Sequence, residues 1–237
     1  MLNIIKISAF AAFTGMAMAA PLESRASAKS ITVKNNCGNT MTVGWLTNGQ
    51  SNDHSTLFDL NAGASQTINP PGSNWGGRVW ARDQCSHSDL TNCGTSGAVS
   101  PASLAEFLFN GAGNQDYYDV SLVDGYNIPI QITPNGKTAT SQYQCGSPEA
   151  VNLPTCPSAN QVTVNGKVVG CKSSCSLTGS PQDCCTGAYN TPDKCPINSF
   201  AEVVKKANPD AYSYAYDDQT STYTCDATGY TVTFCPA

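Results

Sequence analysis

The sequence predicts one all-β domain in which many short strands are held together by disulfide bonds. Runs rich in β-branched and aromatic residues recur along the chain, separated by Gly, Pro, Asn and Asp. This pattern is typical of a β-sandwich or barrel. Twelve cysteines all follow an apolar leader, and an even count in that context indicates six disulfides. The 237 residues suffice for one such domain with a sizeable core.

The first twenty residues are predicted to be an export signal. Lys6 is their only charged residue, a small apolar run follows it, and Ala17-Met18-Ala19 is a small-x-small cleavage pattern. The run is too short for a membrane helix. We therefore divide the chain into a signal peptide at 1–20, a linker or pro-segment at 21–29, and the domain at 30–237.

The first strands of the domain are predicted from alternation. Ile31, Val33, Met41 and Val43 alternate with polar residues, and Asn and Gly lie between the two runs, so residues 30–44 predict a β-hairpin. Further short runs predicted as strands occupy 57–60, 65–69, 78–82, 118–123, 128–133, 161–169, 212–216, 221–225 and 230–234.

One helix is predicted near the C-terminal end. Ser199-Phe-Ala-Glu202 has the form of a capping box, and Pro209 ends the helix. Residues 103–106 have the same local form, but the bulky Phe107-Leu108-Phe109 that follows favours a strand there.

The charge balance excludes some partners. The formal net charge is −5, and removal of the leader with its one lysine makes it 11 − 17 = −6. Nucleic acids and anionic membrane surfaces are bound by basic patches, so neither is an expected partner. A neutral polysaccharide is compatible with this composition.

Residues 145–195 hold seven of the twelve cysteines and little periodicity, so cross-links must hold this region. Cys184 and Cys185 are adjacent and should fasten two different loops. Zinc is the alternative use of cysteine, but no Cys-x-x-Cys occurs, and His54 and His87 lie far from most cysteines. No metal and no organic cofactor are expected.

Several motifs together resemble the thaumatin-like (pathogenesis-related group 5) family, and they occur in the family's order. They are Gly76-Gly-Arg-Val-Trp-Ala-Arg-Asp-Gln-Cys85, Leu104-Ala-Glu-Phe107, Asp116-Tyr-Tyr-Asp-Val-Ser-Leu-Val-Asp-Gly-Tyr-Asn-Ile-Pro129, Cys184-Cys-Thr-Gly-Ala-Tyr-Asn190, Tyr212-Ser-Tyr-Ala-Tyr-Asp-Asp218 and Val232-Thr-Phe-Cys-Pro236. The resemblance implies a β-sandwich core, a disulfide-rich region of loops and short helices beside it, and an acidic cleft between the two.

The resemblance also implies disulfide pairs. Members with sixteen cysteines have two bridges that this chain lacks, and Asn208 stands where one of those cysteines is found. The implied pairs are Cys37 with Cys235, Cys85 with Cys93, Cys156 with Cys171, Cys175 with Cys184, and Cys185 with Cys195, which leaves Cys145 to pair with Cys225.

The family's cleft residues correspond to Arg78, Glu106, Asp119, Asp124 and Asp217. Cleavage of a glycosidic bond needs a carboxylic acid that protonates the leaving oxygen and a carboxylate that acts as nucleophile or base. The resemblance implies that Glu106 is the proton donor and Asp119 the nucleophile or base, or the reverse, while the other three residues bind substrate.

The spacing of the two catalytic-region aspartates sets a condition on the fold. Asp119 and Asp124 are five residues apart, so on a continuous strand they would face opposite sides. The Asp124-Gly125 turn signal indicates that the strand ends before Asp124, which lets both line one cleft.

Three function classes follow from the resemblance. The first is a secreted, monomeric, β-1,3-glucan-binding protein of cell walls with weak endo-β-1,3-glucanase activity. The others are a non-catalytic antifungal wall-binding protein and an inhibitor of a secreted hydrolase.

Four aromatic residues near the motifs would either stack on sugar rings or pack in the core, namely Trp75, Tyr117, Tyr118 and Tyr126. Trp80 should face the same side as Arg78.

Overall fold

A computed structural model of the chain describes residues 28–51, 56–83, 85–89 and 101–237. The predicted signal peptide, most of the predicted linker, His54 and Cys93 lie outside these residues. Within them, no helix has the length and apolar character needed to cross a membrane.

The described residues form thirteen strands and three α-helices. The strands are β1 Ser30–Asn35, β2 Met41–Thr47, β3 Thr56–Leu60, β4 Ser65–Ile68, β5 Gly76–Arg82, β6 Leu104–Leu108, β7 Asp116–Ser121, β8 Ile130–Pro134, β9 Glu149–Ala150, β10 Gln161–Val164, β11 Lys167–Cys171, β12 Tyr223–Cys225 and β13 Gly229–Phe234. The helices are α1 Ser174–Thr178, α2 Ser199–Ala207 and α3 Asp218–Ser221.

Two large sheets form the predicted all-β sandwich. One sheet has six strands in the order β12-β7-β6-β5-β2-β3, and the other has five in the order β4-β1-β13-β8-β9. Alternate residues of both sheets enter one apolar core, for example Val79 and Val120 from the first sheet and Ile132 and Val232 from the second. The opposite face of the six-stranded sheet is therefore available to carry a functional site.

Loops, short helices and the β10-β11 hairpin make up the predicted disulfide-rich region. The structure contains five of the implied pairs, which are Cys37–Cys235, Cys145–Cys225, Cys156–Cys171, Cys175–Cys184 and Cys185–Cys195. Cys184 and Cys185 fasten different loops, as expected. The pairing of Cys85 with Cys93 stays a prediction, since Cys93 lies outside the described residues.

The predicted hairpin over residues 30–44 is wrong, although both of its strands exist. β1 pairs with β13 in parallel and with β4, whereas β2 pairs with β3 and β5 in the other sheet. Both strands bury their apolar alternates in the one core, so alternation identified the inward face but could not identify the partner strand.

Two smaller predictions also need correction. Residues 212–216 form turns around an isolated bridge from Tyr212 to Ser121 and no strand. The cap of α2 is Asn198, whose side chain accepts a hydrogen bond from the backbone N–H of Ala201, and Ser199 is the first helical residue. An asparagine one position earlier meets the same need for a cap that the serine was expected to meet.

A buried ion pair anchors the start of the described chain. Lys29 Nζ lies 2.7 Å from Asp116 Oδ2 at the beginning of β7. Asp116 is fully buried and also accepts hydrogen bonds from the Tyr230 hydroxyl and the Asn110 backbone N–H. The Asp116 carboxylate is thus the acceptor for all three of these donors. Removing it would leave the buried Lys29 ammonium without its main partner.

We expect Asp116→Ala to lower the free energy of unfolding by about 3–5 kcal/mol, the usual cost of removing one partner from a buried pair. Asp226→Ala is the matched control, because Asp226 lies 3.6 Å from the same ammonium but is 65% exposed. It should cost less than about 1 kcal/mol. Urea denaturation of both variants checks this, and equal costs would contradict it.

Candidate functional site

Three of the five predicted cleft residues lie in one row across the six-stranded sheet. The antiparallel register places Arg78 of β5 opposite Glu106 of β6, and Glu106 opposite Asp119 of β7. Directly opposite residues on neighbouring strands have Cβ atoms about 4.5–5.5 Å apart and point to the same side. These three residues, the charged row, therefore meet through strand pairing alone.

The charged row faces away from the sandwich core. Val79, Ala105, Phe107, Tyr118 and Val120, which alternate with it along the same strands, are buried between the sheets. Since neighbouring residues of a strand point to opposite faces, Arg78, Glu106 and Asp119 cannot enter that core.

A pocket of about 320 Å³ covers this part of the outer face. We call it the carboxylate pocket. It is lined by Arg78, Leu104, Glu106, Asp119, Ser121, Val123, Asp124, Tyr212 and Ala215. Four of the five predicted cleft residues thus share one cavity. Leu104 and Ser121 could have been predicted, because each lies two residues from Glu106 or Asp119 on the same strand face.

Asp124 reaches the pocket because β7 ends at Ser121, as the turn signal predicted. A chain reversal follows, in which Gly125 has a φ of +100° and an ideal Cβ would lie 2.1 Å from the carbonyl oxygen of Cys171. Only glycine fits there without movement of the backbone. The Asp124 carbonyl also accepts a hydrogen bond from the Ser176 hydroxyl of α1, which ties the turn to the disulfide-rich region.

Burial raises the pKa of the Glu106 carboxyl above its ordinary value. Arg78 opposes that rise by stabilising the charged form, Asp124 adds to it by repulsion, and a hydrogen bond from Ser121 opposes it. Burial likewise raises the pKa of Asp124, again against the stabilising charge of Arg78.

The surroundings of Asp119 favour its protonated form more strongly than those of Glu106 do. Burial raises its pKa well above the ordinary value, and repulsion from Glu106 and Asp218 raises it further. Its Oδ1 atom is buried without a hydrogen-bond partner among the described residues. A buried carboxylate oxygen with no donor and no adjacent cation favours the protonated acid.

Asp217 lies outside the carboxylate pocket. Its carboxylate accepts hydrogen bonds from the backbone N–H and the hydroxyl of Ser213, both at 2.8 Å, and lies 3.4 Å from Lys205 Nζ. It lines a neighbouring pocket instead. The carboxylate that acts electrostatically on Asp119 from this segment is Asp218, which accepts a hydrogen bond from the Tyr212 hydroxyl.

The aromatic candidates separate clearly by burial. Trp75, Tyr118 and Tyr126 are at most 4% exposed and belong to the core. Trp80 faces the same side as Arg78, as predicted, but is buried in a small apolar cluster with Leu46, Ala102 and Leu104. Tyr117 alone of the four stacking candidates keeps a partly exposed side chain.

Comparison with known proteins identifies the family. The family model described as the Thaumatin family matches residues 35–236. The chain belongs to the thaumatin family.

Curated relatives of this thaumatin-family protein match over nearly their whole length. Thaumatin-like protein 1a of Malus domestica is 41% identical, covering 97% of this chain and 99% of the relative. Pathogenesis-related protein 5 of Arabidopsis thaliana is 40% identical, with 88% and 91% covered. A protein of Prunus avium named glucan endo-1,3-beta-glucosidase is 42% identical, with 89% and 92% covered.

One departure from the sixteen-cysteine members of the thaumatin family has a physical substitute. Asn208, at the end of α2, is buried and exchanges two 3.0 Å hydrogen bonds with the backbone of Asn152. Its amide therefore ties helix and loop together at the position where the resemblance implies a cysteine in longer members. Among the described residues, no group of three or more His, Cys, Asp or Glu is arranged to hold a metal ion.

The raised carboxyl pKa values predict a pH dependence of stability. A carboxyl whose pKa is higher in the folded protein than in the unfolded chain weakens folding as pH rises through that interval. Asp119→Asn removes this effect and should raise the free energy of unfolding at pH 7.5. At pH 4 its effect should be much smaller.

Chemical denaturation at the two pH values measures this difference. Asp193→Asn, a change at an exposed carboxyl, is the control and should alter stability little at either pH. If Asp119→Asn lowered stability more at pH 7.5 than at pH 4, Asp119 would be a stabilised carboxylate and the described electrostatics would be wrong.

Proposed function

We propose that this protein binds β-1,3-glucan in the carboxylate pocket and hydrolyses it weakly as an endo-β-1,3-glucanase. The observation that carries the proposal is the direct opposition of Glu106 and Asp119 on neighbouring strands, with Arg78 next in the row. Paired carboxyl groups in unlike environments are the chemical requirement for glycoside hydrolysis. The Prunus avium relative named glucan endo-1,3-beta-glucosidase supports the choice of substrate.

The polar groups of the pocket suit a neutral sugar. Ionised carboxylates accept hydrogen bonds from sugar hydroxyls, and the hydroxyl oxygens of Ser121 and Tyr212 add further polar atoms to the lining. The chain's net charge of −5 disfavours an anionic polymer. A predicted signal peptide and the five observed disulfides support secretion, so that the glucan of a cell wall is the accessible substrate.

The electrostatics favour one of the two role assignments left open by the resemblance. In the described part of the chain, Asp119 has a buried oxygen without a hydrogen-bond partner and no adjacent cation, so it holds its proton and donates it to the leaving oxygen. Glu106 lies opposite Arg78, whose charge stabilises the carboxylate, so it attacks as the anion. This reverses the assignment that the resemblance placed first.

The strand register also suggests the stereochemical course. Carboxyl groups about 5–5.5 Å apart are typical of retaining glycosidases, and inverting enzymes need about 6.5–9.5 Å. Directly opposite cross-strand residues have Cβ atoms within about 4.5–5.5 Å, so the register places these two side chains at short range on one face, which favours the retaining course. We therefore propose a covalent glucosyl intermediate on Glu106 that water then hydrolyses, with Asp119 now acting as base.

Incubation with laminarin, followed by a reducing-end assay, tests hydrolysis. Glu106→Gln and Asp119→Asn should each lower the rate at least about a hundredfold, the usual contribution of one positioned acid or base. Asp217→Asn should keep most of the activity of the folded protein, because its carboxylate lies outside the pocket. Laminarin binding without any product from the wild-type protein would contradict hydrolysis and favour a wall-binding role.

The anomer released first tests the mechanism. The substrate is a laminari-oligosaccharide whose reducing end is blocked. Proton NMR early in turnover, before mutarotation mixes the products, should show the β-anomer at the new reducing end. Retention is expected because Glu106 and Asp119 are directly opposite each other on neighbouring strands. An initial α-anomer would show inversion and would contradict the covalent intermediate.

A further inference from the structure

We infer that Leu108 and Tyr117 form a stacking subsite for a glucosyl unit beside the carboxylate pocket. We call these two residues the shelf. The inference rests on the proposed function and adds to it the side chains that hold the glucan chain next to the bond under attack.

The shelf is the next outward-facing row of the same two strands. Leu108 of β6 lies opposite Tyr117 of β7, two residues along from the Glu106–Asp119 pair. Two residues of a strand span about 7 Å and return to the same face. The shelf and the catalytic pair are therefore adjacent on one surface, at a separation on the scale of one sugar ring.

The shelf is apolar and open to solvent. Leu108 is 47% exposed, one of four large apolar side chains with such exposure in the described part of the chain. Tyr117 is partly exposed, and its hydroxyl donates a long 3.4 Å hydrogen bond to the Ala112 carbonyl. The CH faces of a glucosyl ring pack on apolar and aromatic surfaces of this kind, because each shields the other from water.

A glycine lies beside each residue of the shelf. Gly76 of β5 lies opposite Leu108 and carries no side chain, although an ideal Cβ there would make only an ordinary contact with Leu108 Cδ1, at 3.4 Å. An ideal Cβ on Gly111 would lie 2.9 Å from the Tyr117 ring, so only glycine permits this close packing of ring on backbone. The Tyr117 ring is thus supported from one side by the backbone of Gly111.

The dependence of binding on oligosaccharide length tests the shelf. Calorimetric titration of the purified protein with laminaribiose and laminarihexaose gives the affinity for a short and a long ligand. Tyr117→Ala should weaken hexaose binding about tenfold and Leu108→Ala about threefold, with smaller effects on the disaccharide. Tyr117→Phe should bind as the wild type does, since the ring remains.

Val168→Ala is the matched control for Leu108→Ala. Val168 is 50% exposed but lies on β11 in the separate two-stranded sheet, so its truncation should change neither affinity. Near-ultraviolet circular dichroism and thermal unfolding establish whether each variant is folded. If Tyr117→Ala proves unstable, Leu108→Ala still tests the shelf, because it changes an exposed side chain.

The outcomes separate the shelf from the proposed function. If the wild type prefers the hexaose and folded shelf variants keep that preference unchanged, the shelf is wrong while glucan binding stands. If the wild type binds neither ligand nor laminarin, glucan binding itself is wrong and the shelf falls with it. A selective loss of hexaose affinity in the shelf variants, absent in Val168→Ala, supports the inference.

Discussion

The antiparallel register of β5, β6 and β7 brings the charged residues of the site together. Arg78, Glu106 and Asp119 come from distant parts of the chain and meet only because each is directly opposite the next. A slip of one residue in either pairing would turn a charged side chain into the sandwich core. The core side chains that alternate with them oppose such a slip, so the packing that stabilises the fold also positions the site.

This arrangement is electrostatically unfavourable, because three carboxyl groups share a partly buried pocket with one guanidinium. Burial raises the pKa values of Glu106 and Asp119, and repulsion from Asp124 raises that of Glu106 further, as repulsion from Glu106 and Asp218 does that of Asp119. Favourable contacts elsewhere in the structure must therefore offset the repulsion among these carboxyl groups. The contact from Ser176 holds the Asp124 turn beside the pocket. Asp217, held by Ser213 and Lys205, lies outside the pocket.

Local patterns in the sequence were sufficient to predict many of the strands and the faces they bury. Alternation placed Ile31 and Val43 in the core correctly. It failed to predict strand partners, since β1 pairs with the distant β13, and no local pattern encodes that choice. The same limit explains the error over residues 212–216. Their aromatic residues suit a strand, but apart from the isolated bridge at Tyr212 the segment forms turns and pairs with no strand.

The candidate site was predictable as a set of residues but not as a geometry. The motifs identified Arg78, Glu106, Asp119 and Asp124, which share the pocket. They could not distinguish Asp217 from its neighbour Asp218, because the direction of each side chain depends on hydrogen bonds to Ser213 and Tyr212. Nor could they show that Arg78 is directly opposite Glu106 and one strand further from Asp119.

The most direct test of this account is a titration of the individual carboxyl groups by carbon-detected NMR. Asp119 should titrate at a higher pH than Glu106, and both should titrate above the ordinary values of about 3.9 for Asp and 4.3 for Glu. Titration of both groups at or below those values would show that they are solvated or paired with cations, and would contradict the crowded row from which the proposed chemistry follows.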